Sequence, residues 1–423
     1  MITKRMVEWA EGATVLSTEP WLVYISLTNH CNNKCRVCAQ PLVMREDKGL
    51  MSFDLFKKVV SQLPSSVKKI YLFKQGEPFI NKNLEKCVEY LRKEKPDVYI
   101  SIHTNGQIAG IERIKKIINL VDSIGISISA TSKEIYENVH GVDGFDAVMK
   151  NLRDISELNK NIPFEKRPHI FIDYIYQERN KVEKEEDVVQ FFKSKFPGLS
   201  SVDFHWVYNF QGEIEEGNIE ANKKVPEKEF PCCVFPWSAF TVCYDGKVSY
   251  CFVEPRETNF MGDLNNDSFT DIWNGEKYVQ FRERMVSKKF SELMDNNFHC
   301  KDCSWLWSMK SQSPKNLNGG YSIVGSENLT GKVFGDILEM PLEKVEAVAD
   351  TEFNLGEVSK ALGLYYYLES VSAKDSIREK IQTCNKILGK YKNISSWKDA
   401  MVKEGIDIEN RECRYYKIGR NDG

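Results

Sequence analysis

Between Trp21 and Tyr208 short apolar segments alternate with segments of helical spacing, and this alternation fixes the fold class. The strand-like segments are Trp21–Thr28, Ile70–Phe73, Val98–His103, Ile124–Ile128, Ile170–Tyr176 and Val202–Tyr208. Between them, Phe53–Leu63, Asn83–Lys93, Ile111–Leu120, Phe145–Leu158 and Val182–Phe196 space their apolar residues for one face of a helix, and Pro64 stops the first. Strands alternating with helices of this length form βα units around a parallel sheet. Six such units predict an α/β fold, a partial (β/α)6 barrel. Its functional residues are expected at the C-terminal ends of the strands.

The pattern changes beyond the sixth strand. A charged stretch from Glu213 to Lys228 leads to Ser238–Val242 and Lys247–Val253, which flank Tyr244-Asp245-Gly246, a hairpin turn signal. Ser268 and Asp271 form a capping box that predicts a helix running toward Met285. Further on, Ser311–Gly320 reads as a linker. Asn354 with Glu357 and Ser396 with Asp399 read as caps, and Ile377, Ile381, Cys384 and Leu388 share one helical face. The expected division is a leader over 1–20, the barrel over 21–212, a small α+β module over 213–310 and a helical region over 311–423.

A net charge of −3 gives no basic footprint for nucleic acid. No stretch of 18 apolar residues suggests a membrane span, and the N-terminal residues lack a signal-peptide core, so a cytoplasmic location is expected. In a reducing cytosol clustered cysteines bind metal or do chemistry more often than they form disulfides. The chain has 12 cysteines, unevenly spread. Cys31, Cys35 and Cys38 lie on one polar loop after the first strand; Cys232, Cys233, Cys243 and Cys251 lie in the middle; Cys300 and Cys303 follow. Cys87, Cys384 and Cys413 stand alone and read as small buried apolar residues. Three thiolates on one loop can hold three corners of a cubane cluster and leave one iron open. A structural zinc site is the alternative, but zinc favours four closed tetrahedral ligands, and three cysteines at this spacing suit it poorly.

The C-x3-C-x2-C spacing of Cys31, Cys35 and Cys38, placed after the first strand of a βα series, resembles the radical S-adenosylmethionine (SAM) superfamily. The resemblance implies a 4Fe-4S cluster on these cysteines, with its open iron chelated by the methionine portion of SAM. Reductive cleavage would give methionine and a 5′-deoxyadenosyl radical that takes hydrogen from a substrate. Gln75-Gly76-Glu77-Pro78 stands where relatives carry Gly-Gly-Glu-Pro, which binds the SAM amino group; Gln75 replaces the first glycine. Asn105 in Thr104-Asn105-Gly106 and Ser127 in Gly125-Ile-Ser-Ile-Ser match further SAM-contacting positions. Val37 stands where relatives have an aromatic residue near the adenine. His140 stands where some carry arginine, and it is not counted as a ligand.

Cys233, Gly246 and Cys251 are spaced as at the opening of SPASM and twitch auxiliary-cluster modules. Gly262-Asp-Leu and Asp271-Ile-Trp273-Asn resemble their helix entry, and Cys300-Lys-Asp-Cys303 would complete four ligands. No cysteine follows until Cys384, so one auxiliary 4Fe-4S cluster in the twitch form is expected, with a zinc knuckle as the alternative. Cys232 could replace Cys233, and Cys243 is spare.

The arrangement is similar to radical SAM dehydrogenases with a twitch module that oxidise cyclitol alcohols. This implies a small-molecule substrate (a sugar, cyclitol or similar), oxidation with electron transfer to the auxiliary cluster, and a reductant such as flavodoxin or ferredoxin. Candidate bases are Asp173, Tyr174 and His205; the catalytic residue is otherwise unassigned. Peptide modification is an alternative, since many SPASM relatives act on ribosomal peptides. Epimerisation is another, with Cys232 or Cys243 returning hydrogen. An iron–sulfur carrier is the non-enzymatic reading, and the Gln-Gly-Glu-Pro segment speaks against it.

Overall fold

The computed structural model describes residues 5, 8–9, 12–43, 47–163, 166–214, 232–294, 298–304 and 374–390, with isolated positions at 346, 349, 365, 368, 406–407 and 412–413. The segment Gly217–Lys228, the linker at Ser311–Gly320, the caps at Asn354 and Ser396 and the side chain of Leu388 lie outside the described residues.

Nine strands form one open sheet. They are β1 (Leu22–Ile25), β2 (Lys69–Tyr71), β3 (Tyr99–Thr104), β4 (Ser123–Ser127), β5 (His169–Tyr176), β6 (Ser201–Trp206), β7 (Ala239–Val242), β8 (Lys247–Ser249) and β9 (Phe260–Asp263). Their spatial order is β6-β5-β4-β3-β2-β1-β7-β8-β9. Strands β1 to β6 pair in parallel, which gives the partial barrel read from the sequence. Helices Phe53–Gln62, Leu84–Glu94, Ile111–Ile117, Phe145–Lys160 and Glu185–Lys195 connect them, together with Lys133–His140, which the apolar spacing did not reveal.

Alternate residues of a strand face opposite sides of the sheet. One face carries Ile100, Ile102, Ile124, Ile126, Ile170, Ile172, Val202 and Phe204, all buried in the main core. The other, inner face carries half-buried polar side chains at the strands' C-terminal ends: His103, Ser127, Asp173, Asp203 and His205. Burying the first face stabilises by about 1.5–3 kcal/mol per large side chain. Hydrophobic burial therefore sets the register, and the register places the polar set together.

The second module is continuous with the barrel. β7 pairs in parallel with β1, and the β7–β8 hairpin turns at Gly246, whose φ is +90°. The capping box at Ser268 is present, but the helix ends at Trp273 and a second runs Glu276–Val286. Trp9 and residues 12–20 of the expected leader are strapped onto this module. The indole N–H groups of Trp9, Trp237 and Trp273 donate to Cys232, Ala13 and Thr18 carbonyls. Arg282, buried and stacked over Trp273 and Tyr278, donates to the carbonyls of Thr14, Pro236 and Trp273. In the C-terminal region helix Asp375–Lys390 buries Ile377, Ile381 and Cys384, and a two-stranded pair, β10 (Ile406–Asp407) and β11 (Glu412–Cys413), adds to the helical expectation. Among the described residues no helix is long and apolar enough to cross a membrane.

Candidate active site

The loop after β1 carries Cys31, Cys35 and Cys38 as reduced thiols, each with an N–H donor at its sulfur. Asn33 N–H donates to Cys31 Sγ at 3.4 Å, and Gln40 N–H donates to Cys38 Sγ at 3.4 Å. His140 Nδ1 lies 3.3 Å from Cys35 Sγ. The His140 tautomer follows from its other edge. Ser129 N–H donates to Nε2 at 3.2 Å, so Nδ1 carries the hydrogen and points it at the sulfur. Burial holds the ring neutral, pushing its pKa down to about 4. His140 sits at the end of helix Lys133–His140, which Ser132 caps and Gly141 terminates at φ +69°. The cysteine loop docks there: Lys34 and Arg36 N–H groups donate to the carbonyls of His140 and Val139.

The three thiols are near enough to feel one another. Burial, then the charges of Cys38 and Cys31, push the Cys35 pKa up; burial and the Cys31 charge push Cys38 up to about 11. Half-buried sulfurs that would repel one another once ionised, and that each receive an N–H donor, fit a cationic iron–sulfur group, which would relieve the repulsion.

The loop after β2 locks this arrangement. Gly76, at φ +86°, lies against the cysteine loop: a Cβ there would stand 2.6 Å from Thr28 O and 2.7 Å from His30 O. Glu77 is buried, and its N–H donates to His30 O at 2.7 Å. Its carboxylate accepts from Phe79 N–H, the Thr104 hydroxyl and Asn105 N–H at 2.7–3.0 Å. Burial pushes its pKa up. Glu77 thus clasps the ends of β2 and β3 together, and Pro78 starts the short 3-10 turn Pro78–Ile80. Asn105 Nδ2 donates to Asn32 Oδ1 at 2.8 Å and lies 3.8 Å from Cys31 Sγ. Ser127 turns the other way and donates to Asp173 Oδ2 at 3.3 Å.

Gln75 faces the second module, where Nε2 donates to Glu254 O at 2.8 Å. Lys74 beside it is wholly buried, donating to Glu254 O and Glu257 Oε1, each at 2.8 Å. Burial alone would discharge Lys74, but the Glu257 carboxylate holds it protonated, above the usual lysine range. The Glu254 carboxylate accepts Glu257 N–H at 2.8 Å and the Ser249 hydroxyl at 3.4 Å.

Cys233, Cys251, Cys300 and Cys303 form a second set. Burial raises all three of Cys233, Cys251 and Cys300, and after burial each feels the charge of others in the set. Val253 N–H donates to Cys251 Sγ at 3.4 Å, and Cys303 closes the turn His299–Asp302. Of the spare cysteines, Cys232 adjoins Cys233 and interacts with Trp9 and Lys288, while Cys243 is enclosed with Glu257, Lys74 and Glu254. Among the described residues no three His, Cys, Asp or Glu side chains close around a single ion position. A cluster, whose ligands each bind a different iron, asks for wider spacing than one zinc ion. An aromatic run joins this set to the inner face: Phe252 stacks on Tyr24 at 4.5 Å, and Tyr24 stacks on Tyr71 at 4.9 Å.

Of the candidate bases, Asp173 and His205 lie together on the inner face. Tyr174, one residue along, faces the other side, where its hydroxyl donates to Glu183 and burial pushes its pKa up. His140 and His103 are site residues that the sequence reading did not assign. His103 was detectable from its parity with the end of β3. For His140 the signal was only a cap and a following glycine.

Replacing His140 with alanine removes a donor to sulfur, so a cluster held by Cys35 is expected to become harder to reduce. An EPR-monitored redox titration should show a lower potential for that cluster and no change in the other. Equal potentials in wild type and variant would contradict the assignment.

Residues 25–175 match the radical SAM superfamily, and residues 232–304 match SPASM, an iron–sulfur cluster-binding domain. The chain is 22% identical over 294 residues to the S-adenosyl-L-methionine-dependent 2-deoxy-scyllo-inosamine dehydrogenase of Niallia circulans, covering 67% of this chain and 92% of that one. It is 23% identical over 323 residues to the tungsten-containing aldehyde ferredoxin oxidoreductase cofactor-modifying protein of Pyrococcus furiosus, covering 67% of this chain and 86% of that protein. Its fold is similar to that of Streptococcus suis SuiB bound to precursor peptide SuiA, with a TM-score of 0.50 and 13% identity, covering 66% of this chain and 69% of that one. Residues 25–175 are therefore a radical SAM domain, followed over residues 232–304 by a SPASM iron–sulfur cluster-binding domain.

Proposed function

We propose that the enzyme oxidises a hydroxyl- or amine-bearing carbon of a small polyol such as a cyclitol. Cys31, Cys35 and Cys38 would hold the cluster that works with SAM, and Cys233, Cys251, Cys300 and Cys303 would hold the auxiliary one. Loaded, the first cluster, reduced by a carrier such as flavodoxin or ferredoxin, would supply a hydrogen-abstracting radical from SAM, and the second would accept the substrate's remaining electron and return it to such a carrier. The observation that carries the reading is the second set: four mutually interacting cysteines, enough to cap every iron of one cluster. Such a cluster suits electron acceptance, which dehydrogenation needs. Similarity to the cyclitol dehydrogenase over most of that protein supports the substrate class.

The protein residues hold the geometry. Gly76 and Glu77 fix the cysteine loop against the ends of β2 and β3 and leave Asn105 beside Cys31 for the SAM side. Lys74 and Gln75 tie that loop to the segment after Cys251. Epimerisation fits less well, because Cys232 and Cys243, its proposed hydrogen donors, are buried against Trp9 and against Lys74 and Glu257 respectively.

The test is anaerobic reconstitution with dithionite, SAM and 2-deoxy-scyllo-inosamine. The expected result is 5′-deoxyadenosine together with a product lighter by two hydrogens, both lost in Cys35→Ala. A product of unchanged mass carrying one solvent deuterium would replace this reading with epimerisation.

A further inference from the structure

The inner face at the C-terminal ends of β3, β5 and β6 carries a constellation that packing does not require. Asp173 Oδ1 lies 3.2 Å from His205 Nε2, and Asp173 Oδ2 lies 3.7 Å from His103 Nδ1. Ser127 donates to the same carboxylate. His103 is itself set by stacking on Phe73 at 4.2 Å. Gly125 makes room for it: a Cβ there would meet Phe171 at 2.7 Å and His103 at 3.0 Å.

Two features of this face cost stability. Asp173 is paired in register with Asp203 on the neighbouring strand, and like charges directly opposite on one face are destabilising. Burial pushes Asp203 up to about 6, so at neutral pH it carries a poorly solvated charge. Asp173, although buried, is held below the usual range by His205, His103 and Ser127. The second feature is His205 Nδ1, a buried nitrogen with no hydrogen-bond partner. An orphaned buried polar atom costs roughly 1–3 kcal/mol. Nε2 faces Asp173, so Nδ1 is left open for one hydrogen bond to a group outside the chain.

We infer that this His103–Asp173–His205 array, with Asp203 beside it, is the substrate-binding floor of the enzyme, taking a small hydroxylated amine. The substrate's ammonium group lies against the two carboxylates, and one of its hydroxyls hydrogen-bonds to His205 Nδ1. Asp173 both binds the cation and orients His205. The inference rests on the polyol-oxidation reading above and adds the charge class of the substrate and the residues that read it.

The experiment is calorimetric titration of anaerobic, SAM-loaded holoenzyme with 2-deoxy-scyllo-inosamine and with its N-acetyl derivative, which lacks the charge. Wild type should bind the amine and discriminate against the acetylated probe by roughly 10–100-fold, the scale of one hydrogen bond to a charged group. Asp173→Asn should lose most of that discrimination while keeping wild-type iron content and circular dichroism. His205→Phe should weaken both probes alike. Equal affinity of wild type for the two probes, no binding of either, or unchanged binding in Asp173→Asn would each overturn the inference. Failure of the functional reading shows separately, as a wild-type enzyme that gives no product lighter by two hydrogens.

Discussion

Replacing Lys74 with methionine is expected to destabilise the folded protein by about 3–5 kcal/mol, the cost of breaking a buried ion pair from one side. The Lys74 and Glu257 side chains are both fully buried, and among the described residues the ammonium donates to Glu257 Oε1 and the Glu254 carbonyl. Methionine fills similar space, so the loss is charge and hydrogen bonds, with a buried carboxylate left uncompensated. Glu257 already sits at φ +50° with its second oxygen unpartnered, so it has little room to adjust. The double variant Lys74→Met/Glu257→Gln should recover more than half of the loss. Urea unfolding under anaerobic conditions measures both. A single-variant cost below about 1 kcal/mol would show that the pair is not closed in solution. Because Glu254 and Glu257 follow Cys251 closely, the single variant should also lose iron from the second cysteine set first.

The second large effect is expected at Gly76. Alanine there must adopt a positive φ, at about 1–3 kcal/mol, and must push aside two carbonyl oxygens that belong to the cysteine loop. Overpacking of this kind costs about 1–3 kcal/mol more. Backbone cannot swing away as a flexible side chain can, so Thr28 to Cys31 must shift. Gly76→Ala should therefore lower the thermal midpoint and deplete iron held by Cys31, Cys35 and Cys38. Gly110→Ala is the control, since nothing lies within 4 Å of its Cβ position and its φ is −64°. It should cost less than about 1 kcal/mol. Equal effects at the two glycines would mean that the close approach at Gly76 does not exist.

The barrel was readable because each strand buries one apolar face against helices, and that leaves a local pattern. The cysteine loop was readable because three cysteines sit within eight residues. What escaped has no local signature. The pairing of β7 with β1 joins residues more than 200 positions apart, so the second module looked separate when it continues the same sheet. The strap formed by residues 12–20 depends on Trp237, Trp273 and Arg282, each meeting carbonyls of a segment with no periodicity of its own. The inner face was partly legible. Asp203 and His205 are two apart, as are Phe171 and Asp173, so parity places each pair on one face and puts Tyr174 on the other. Their meeting across three strands needed the register. The turning of Gln75 toward Glu254 gives the departure from a glycine at that position a role: the side chain binds the second module.

The central claim is that one chain holds two clusters on two disjoint cysteine sets, and iron counting tests it most directly. Reconstituted wild type should carry about 8 irons, and Cys35→Ala and Cys251→Ala about 4 each, with different EPR signals surviving in the two variants. Full wild-type iron in Cys251→Ala, or loss of all iron in either variant alone, would contradict the account.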